Sequence, residues 1–186
     1  MTIIKRTIAM LLSMCLMLSL CSCSHRYEST NENDYTTFIS EVYDADLHMP
    51  KINDLGNYNS FSIIRRYPGD IFIDTTDSIT LLLQYDEQDF GKAVELIDTN
   101  YQFVKHGKDY VLDTEAVLKG FWLRVVDDPL FYGSRADGYK PLNSNKLLII
   151  GINEADSKIA YLYHWDHAID SIEDLDEFIE SKYYLE

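Results

Sequence analysis

Residues Lys146 to Asp166 read KLLIIGINEADSKIAYLYHWD, and the division of this stretch decides the fold. Lys146 to Ile152 is apolar on both faces of an extended chain, which puts it in the middle of a sheet. Asn153 to Ser157 is polar and turns the chain. Lys158 to Asp166 alternates Tyr161, Tyr163 and Trp165 with other residues and reads as a returning strand. A connection of this length joins a hairpin, so the sheet is antiparallel here.

Working outward, GFWLRVVDD (Gly120 to Asp128) is a third strand, with Phe121, Leu123 and Val125 opposite Trp122, Arg124 and Val126. Tyr101 to Val104 and Tyr110 to Leu112 are short extended candidates. In DEQDFGKAVELIDTN, Phe90, Val94 and Ile97 form one apolar stripe, which predicts a helix. Gly91 weakens it by about 1 kcal/mol relative to Ala. Ser60 to Tyr67, Asp70 to Ile73 and Ile79 to Tyr85 read as extended, with turns at Pro68-Gly69 and at Thr75 to Asp77.

Nearer the start, NDYTTFISEVYDAD spaces Tyr35, Phe38, Ile39 and Val42 as a helix, with Asn33 or Asp34 able to cap it. PKINDLGNY is one helical turn ending at Gly56. At the other end Ser171 to Asp174 resembles a capping box, and Leu175, Phe178 and Ile179 give a last helix its apolar side. The expected fold is α+β: a mostly antiparallel sheet with helices packed on one face. A parallel α/β arrangement is disfavoured, because the last three strands have no helices between them.

The chain has 186 residues and a net charge of −15. Lys5 and Arg6 lie in an opening segment without acids, so the rest carries 14 bases against 31 acids, a net −17. That field repels nucleic acid and anionic headgroups, and neither is an expected partner.

The opening MTIIKRTIAMLLSMCLMLSLCSC has the three parts of a secretory signal: a basic start, an apolar core from Thr7 to Leu20, and a small-residue end. The core is short for a membrane span, which takes roughly 20 apolar residues. Leu20-Cys21-Ser22-Cys23 resembles a bacterial lipobox, with Leu20 and Ser22 in the places that pattern wants. Cys21 fits less well, because Leu20 precedes it. The resemblance implies cleavage before Cys23 and a diacylglyceryl thioether on its sulfur. Residues 1–22 are then the signal, 23–34 a lipidated tether and 35–186 a single domain. As a flexible coil, SHRYESTNEND (Ser24 to Asp34) would span roughly 18 Å. No other cysteine follows Cys23, so an internal disulfide is excluded in the processed chain. Two acyl chains suffice for stable anchoring.

With this signal, MPKINDLGNY and KIAYLYHWD, the chain resembles uncharacterised bacterial lipoproteins of Gram-positive anaerobes. The resemblance implies a place on the extracytoplasmic side of the cell membrane and no particular activity.

Candidate chemistry is sparse. His164 and His167 are three apart, which puts them on opposite sides of a strand and leaves zinc short of ligands. The simpler expectation is a strand end with its polar residues in solvent. Asp166 and Asp170 fail the calcium-loop spacing, because Ser171 stands where that loop needs Gly. The simpler expectation for this acidic stretch is a helix start. Asp127-Asp128 could supply one carboxylate of a hydrolase pair, though adjacent acids at a strand end usually lie in a solvated turn. No metal, cofactor or catalytic group is expected. The best binding candidate is the irregular segment DPLFYGSRADGYKPLNSNK, Asp128 to Lys146, with Phe131, Tyr132, Arg135 and Tyr139. Rings beside a few basic donors suit a glycan, a peptide or an envelope protein. The simpler expectation is a surface loop whose rings cover a sheet edge. The expectation is a membrane-anchored, non-catalytic binding module; the alternative is a cell-envelope hydrolase with paired carboxylates.

Overall fold

The computed structural model describes residues 25–67, 76–103, 120–127 and 145–166. Within them the fold is α+β: a six-stranded antiparallel sheet with three helices packed against it. The strands are β1 (His25–Ser29), β2 (Ser60–Tyr67), β3 (Thr76–Gln84), β4 (Trp122–Val125), β5 (Lys146–Asn153) and β6 (Lys158–Asp166), in the order β1-β2-β3-β6-β5-β4. The helices are α1 (Glu32–Glu41), α2 (Ala45–His48) and α3 (Glu87–Asn100), with a 3-10 turn at Ile52–Asp54.

The hairpin β5–β6 is the one read from the sequence. Lys146 pairs with Trp165 and Asn153 with Lys158. The Asn153 side-chain oxygen accepts the Asp156 N–H at 3.0 Å, and Ser157 takes a positive φ of 52° to close the turn. β3 and β6 are the central pair, in register from Thr76 opposite Asp166 to Gln84 opposite Lys158.

Alternation along the strands sorts the residues into two faces. The first carries Phe61, Ile63, Ile79, Leu81, Leu83, Leu148, Ile150, Ile159, Tyr161 and Tyr163, all buried. The contacts that the helices make with the sheet fall on this face. Tyr35 of α1 meets Phe61 edge-on at 6.0 Å, His48 of α2 stacks on Tyr163 at 6.1 Å, and Tyr101 at the end of α3 meets Tyr161 at 6.4 Å. On the second face Leu123, Val125, Leu147, Ile149, Ala160 and Leu162 are also buried. That explains the unbroken apolar run of β5. Gly151 sits on this second face because a Cβ there would lie 2.8 Å from Leu123 Cδ2 and 3.1 Å from Phe121 Cδ1.

Four readings need correction. His25–Ser29, taken as coil within the tether, is an edge strand paired with β2, His25 opposite Tyr67 and Ser29 opposite Ile63. Its sequence hid this because only Tyr27 is apolar; that ring packs edge-on against Phe38 at 5.3 Å. The first helix starts earlier than expected, capped by Asn31, whose side chain accepts the Asn33 N–H. Asp34 instead accepts from the Ser29 hydroxyl at 2.5 Å and fixes the β1–α1 corner. Thr76 and Asp77, read as a turn, belong to β3 and pair with Asp166 and Trp165. The short helix α2 was not anticipated; it follows Asp44, which holds a left-handed φ of 57° that Asp tolerates. Asp70 to Ile73, Tyr110 to Leu112 and the last helix lie outside the described residues.

Candidate functional site

Polar residues are buried mainly at one end of the sheet. Of eight buried polar or charged residues among those described, Thr76, Asp77, Ser78, His164 and Asp166 occupy the last three cross-strand rows of β3 and β6. A β-strand end normally places such groups in water, so their concentration here sets this end apart.

On the helix-bearing face, Arg65 lies between Glu41, with which it forms an ion pair, and Asp77, 3.4 Å from its guanidinium. Its plane is flanked by the rings of Phe38 at 5.3 Å and Tyr67 at 5.5 Å. Burial alone would lower the Arg65 pKa. The Glu41 hydrogen bond and the Asp77 charge more than offset this, and the net direction is upward. Across β3 and β6 from it, on β5, Lys146 bonds Asp44 and sits 4.2 Å above the Tyr43 ring. Tyr43 in turn lies 4.8 Å from Trp165, and its carbonyl accepts the Tyr163 hydroxyl at 2.7 Å. Burial pushes the Tyr163 phenol well above its ordinary range, with the Asp44 charge adding to it.

On the opposite face, His164 stands across from Ser78, and Asp166 accepts a hydrogen bond from the Thr76 hydroxyl at 3.3 Å. His164 is fully buried and Asp166 is 5% exposed, which overturns the expectation of a solvated strand end. β6 ends at Asp166, where the strand was expected to end, and the helix start expected in the acidic stretch beyond it lies outside the described residues. The cause of the burial is position: β6 is central, so its last residues remain flanked by β3 and by Asn145, whose carbonyl accepts the Asp166 N–H at 2.9 Å.

The two most buried carboxylates among the described residues, Asp77 and Asp166, are in adjacent rows and therefore point to opposite faces of the sheet. They cannot close on one substrate as a carboxylate pair. Asp127 donates its N–H to the Gln102 carbonyl at 2.6 Å; its neighbour Asp128 lies outside the described residues. Among the described residues no group of three or more His, Cys, Asp and Glu side chains is arranged to share a metal ion. His167 and Asp170 lie outside them, as do Cys23, Phe131, Tyr132, Arg135 and Tyr139.

The flanks of the irregular segment are described. Asp127 follows β4 and Asn145 precedes β5, and the antiparallel register brings both to the polar end. His25 is at that end as well, opposite Tyr67. The ion pair of Arg65 with Asp77 and the stacking of Tyr43 on Trp165 were not foreseen. Each joins residues far apart in sequence, and only the strand register brings them together.

Comparison with protein-family models, with curated proteins and with solved structures gave no match. No helix among the described residues is long and apolar enough to cross a membrane.

Proposed function

We propose that the chain is an extracytoplasmic lipoprotein, held to the cell membrane by a diacylglyceryl group on the Cys23 sulfur, whose domain binds a ligand without transforming it. The observation that carries the reading is the junction at residues 20–25. The lipobox-like Leu20-Cys21-Ser22-Cys23 ends two residues before the first strand of the sheet begins at His25. An anchor at Cys23 therefore adjoins the folded body directly. A span of two residues reaches about 7 Å, against the roughly 18 Å of a flexible tether.

Support for binding over catalysis comes from the geometry of the acids. Asp77 and Asp166 face apart, and Glu41 and Asp44 are engaged by Arg65 and Lys146. The ligand we assign to Phe131, Tyr132, Arg135 and Tyr139 is a glycan, a peptide or an envelope protein, met at the polar end from which that segment departs. Cys23→Ser is the test of the anchor. The variant should leave the membrane fraction on cell fractionation and lack the mass of the diacylglyceryl group. A variant that stays membrane-bound at unchanged mass would sink the reading. Turnover of an envelope substrate by the purified chain would sink the non-catalytic part.

A further inference from the structure

We propose that the outer edge of β1 is a self-association surface. A second copy of this chain adds its own β1 there, antiparallel, with the two Tyr27 residues facing each other across a two-fold axis. The inference is independent of the anchor at Cys23 and rests on described residues alone.

β1 is the last strand of the sheet. It pairs with β2 on one side, and no strand among the described residues lies on the other. Which of its backbone groups point outward follows from the register. Tyr85 donates its N–H to the Ser157 carbonyl, and the Gln84 carbonyl accepts the Asn59 N–H. Even-numbered residues of β3 therefore turn their backbone groups toward β2, and alternation carries this across the sheet. Gln84 opposes Ser60, so the even residues of β2 bond β3, while Ile63, Arg65 and Tyr67 bond β1. Their partners Ser29, Tyr27 and His25 turn their backbone groups inward. The N–H and C=O of Arg26 and Glu28 are left pointing away from the sheet. Arg26, Tyr27 and Glu28 are all exposed.

Such an edge is a template for another strand. Charge decides which one. Outward groups must meet outward groups, so an antiparallel pair of two copies is centred on a residue. Centred on Arg26 or on Glu28, it sets like charges directly opposite, which is destabilising. Centred further along, it opposes fewer of the five residues. Centred on Tyr27, it opposes all five, and Arg26 faces the partner's Glu28 while Glu28 faces the partner's Arg26. In that register these are the hydrogen-bonded pairs, so the four outward N–H groups of the two copies each find a carbonyl. Tyr27 falls in the non-hydrogen-bonded pair, where side chains approach most closely, and it is 46% exposed. A foreign strand would need the same alternation of charge; a second copy has it by construction. The charges that deter indiscriminate pairing of this edge thus admit one partner in one register.

Each chain carries a net charge of −15, which opposes association. The edge itself is balanced, with Arg26 2.5 Å from Glu28. The acids of the adjacent helix α1, Glu32, Asp34 and Glu41, are met by Tyr58, Ser29 and Arg65. Exposed charges farther off than about 8 Å are largely screened in physiological salt.

The full chain is purified in mild detergent and weighed by native mass spectrometry, and its amide exchange is followed by nuclear magnetic resonance across a dilution series. Wild type should form a dimer as concentration rises. The Arg26 and Glu28 amides should then exchange several-fold more slowly, while Tyr27, already bonded to β2, stays unchanged. Arg26→Glu and Glu28→Arg change exposed side chains, so the fold is kept. Each alone sets like charges opposite each other and should weaken the dimer about tenfold or more. Mixing the two variants should give a heterodimer, and both substitutions in one chain should restore self-association. A wild type that stays monomeric at every concentration, single variants that dimerise as wild type does, or a double variant that does not recover overturns the proposal. Protection of Arg26 and Glu28 in a chain of monomeric mass would mean that another segment occupies the edge, and overturns the second copy as its partner.

Discussion

At the scale of single residues, Tyr163 links the sheet to the helical layer. It is fully buried, stacks on His48 and donates its hydroxyl to the Tyr43 carbonyl at 2.7 Å. Tyr163→Phe keeps the ring and removes the bond, leaving a carbonyl without its donor. Denaturant unfolding should show a loss of about 1–2 kcal/mol. A variant as stable as wild type would mean that water replaces the hydroxyl. Gly151 is the opposite case, a position defined by what is missing. Its neighbours Leu123 and Phe121 occupy the space of a Cβ, so Gly151→Ala should destabilise by about 1–3 kcal/mol through overpacking. The same melt checks it, and an unchanged midpoint would mean that β4 shifts away freely. Neither role was legible in the sequence. Tyr163 reads as one more ring in KIAYLYHWD, and Gly151 as an interruption in KLLIIGI. The partners that define them, Tyr43 and Leu123, are distant in the chain.

At the scale of elements, legibility followed apolar pattern. β5 and β6 could be read because a run such as Leu147 to Ile150 has one comfortable place, and each fully buried aliphatic stabilises by about 1.5–3 kcal/mol. α3 could be read from its stripe, and Asp86 caps it, accepting the Asp89 N–H at 2.8 Å. β1 could not. Arg26 and Glu28 are exposed and ion-paired with each other, as suits an edge strand that must stay soluble, and polar edge strands look like loops. Its hold on β2 depends on Tyr27 packing against Phe38 and on the Ser29–Asp34 bond. Tyr27→Ser removes an edge-on aromatic pair worth about 0.5–1.5 kcal/mol. Hydrogen exchange at Arg26 to Ser29 should then speed up several-fold, with β3 and β6 unchanged. Unchanged protection in β1 would assign its docking to backbone pairing alone. The segment proposed for binding was singled out by its Pro, Gly and aromatic content. Its neighbours at the polar end were not legible, because they depend on the register of β3 against β6.

At the scale of the whole molecule, buried phenols set a limit at high pH. Burial raises Tyr101 to about 12, with the Asp54 charge adding to it, and pushes Tyr35, Tyr85, Tyr161 and Tyr163 higher still. In the unfolded chain these phenols ionise near about 10. Above that pH the folded state holds protons that the unfolded state releases, so stability falls as pH rises. The contribution is complete below about pH 10 and is lost progressively above it. The share of the tyrosinate absorbance that comes from these buried phenols should therefore rise cooperatively, together with loss of the far-ultraviolet circular dichroism. Stepwise ionisation with the fold intact would show the phenols to be accessible.

On the proposed reading, in which the chain is exported and cut before Cys23, the pairing of His25 with Tyr67 imposes an order of events. A peptidase cutting there must draw residues on each side of the scissile bond into its groove, and one residue, Ser24, separates Cys23 from the first paired residue. β2 begins about 35 residues after β1 begins, so on that reading the leader is removed in the interval before the two strands pair. A chain that folded first would keep its leader.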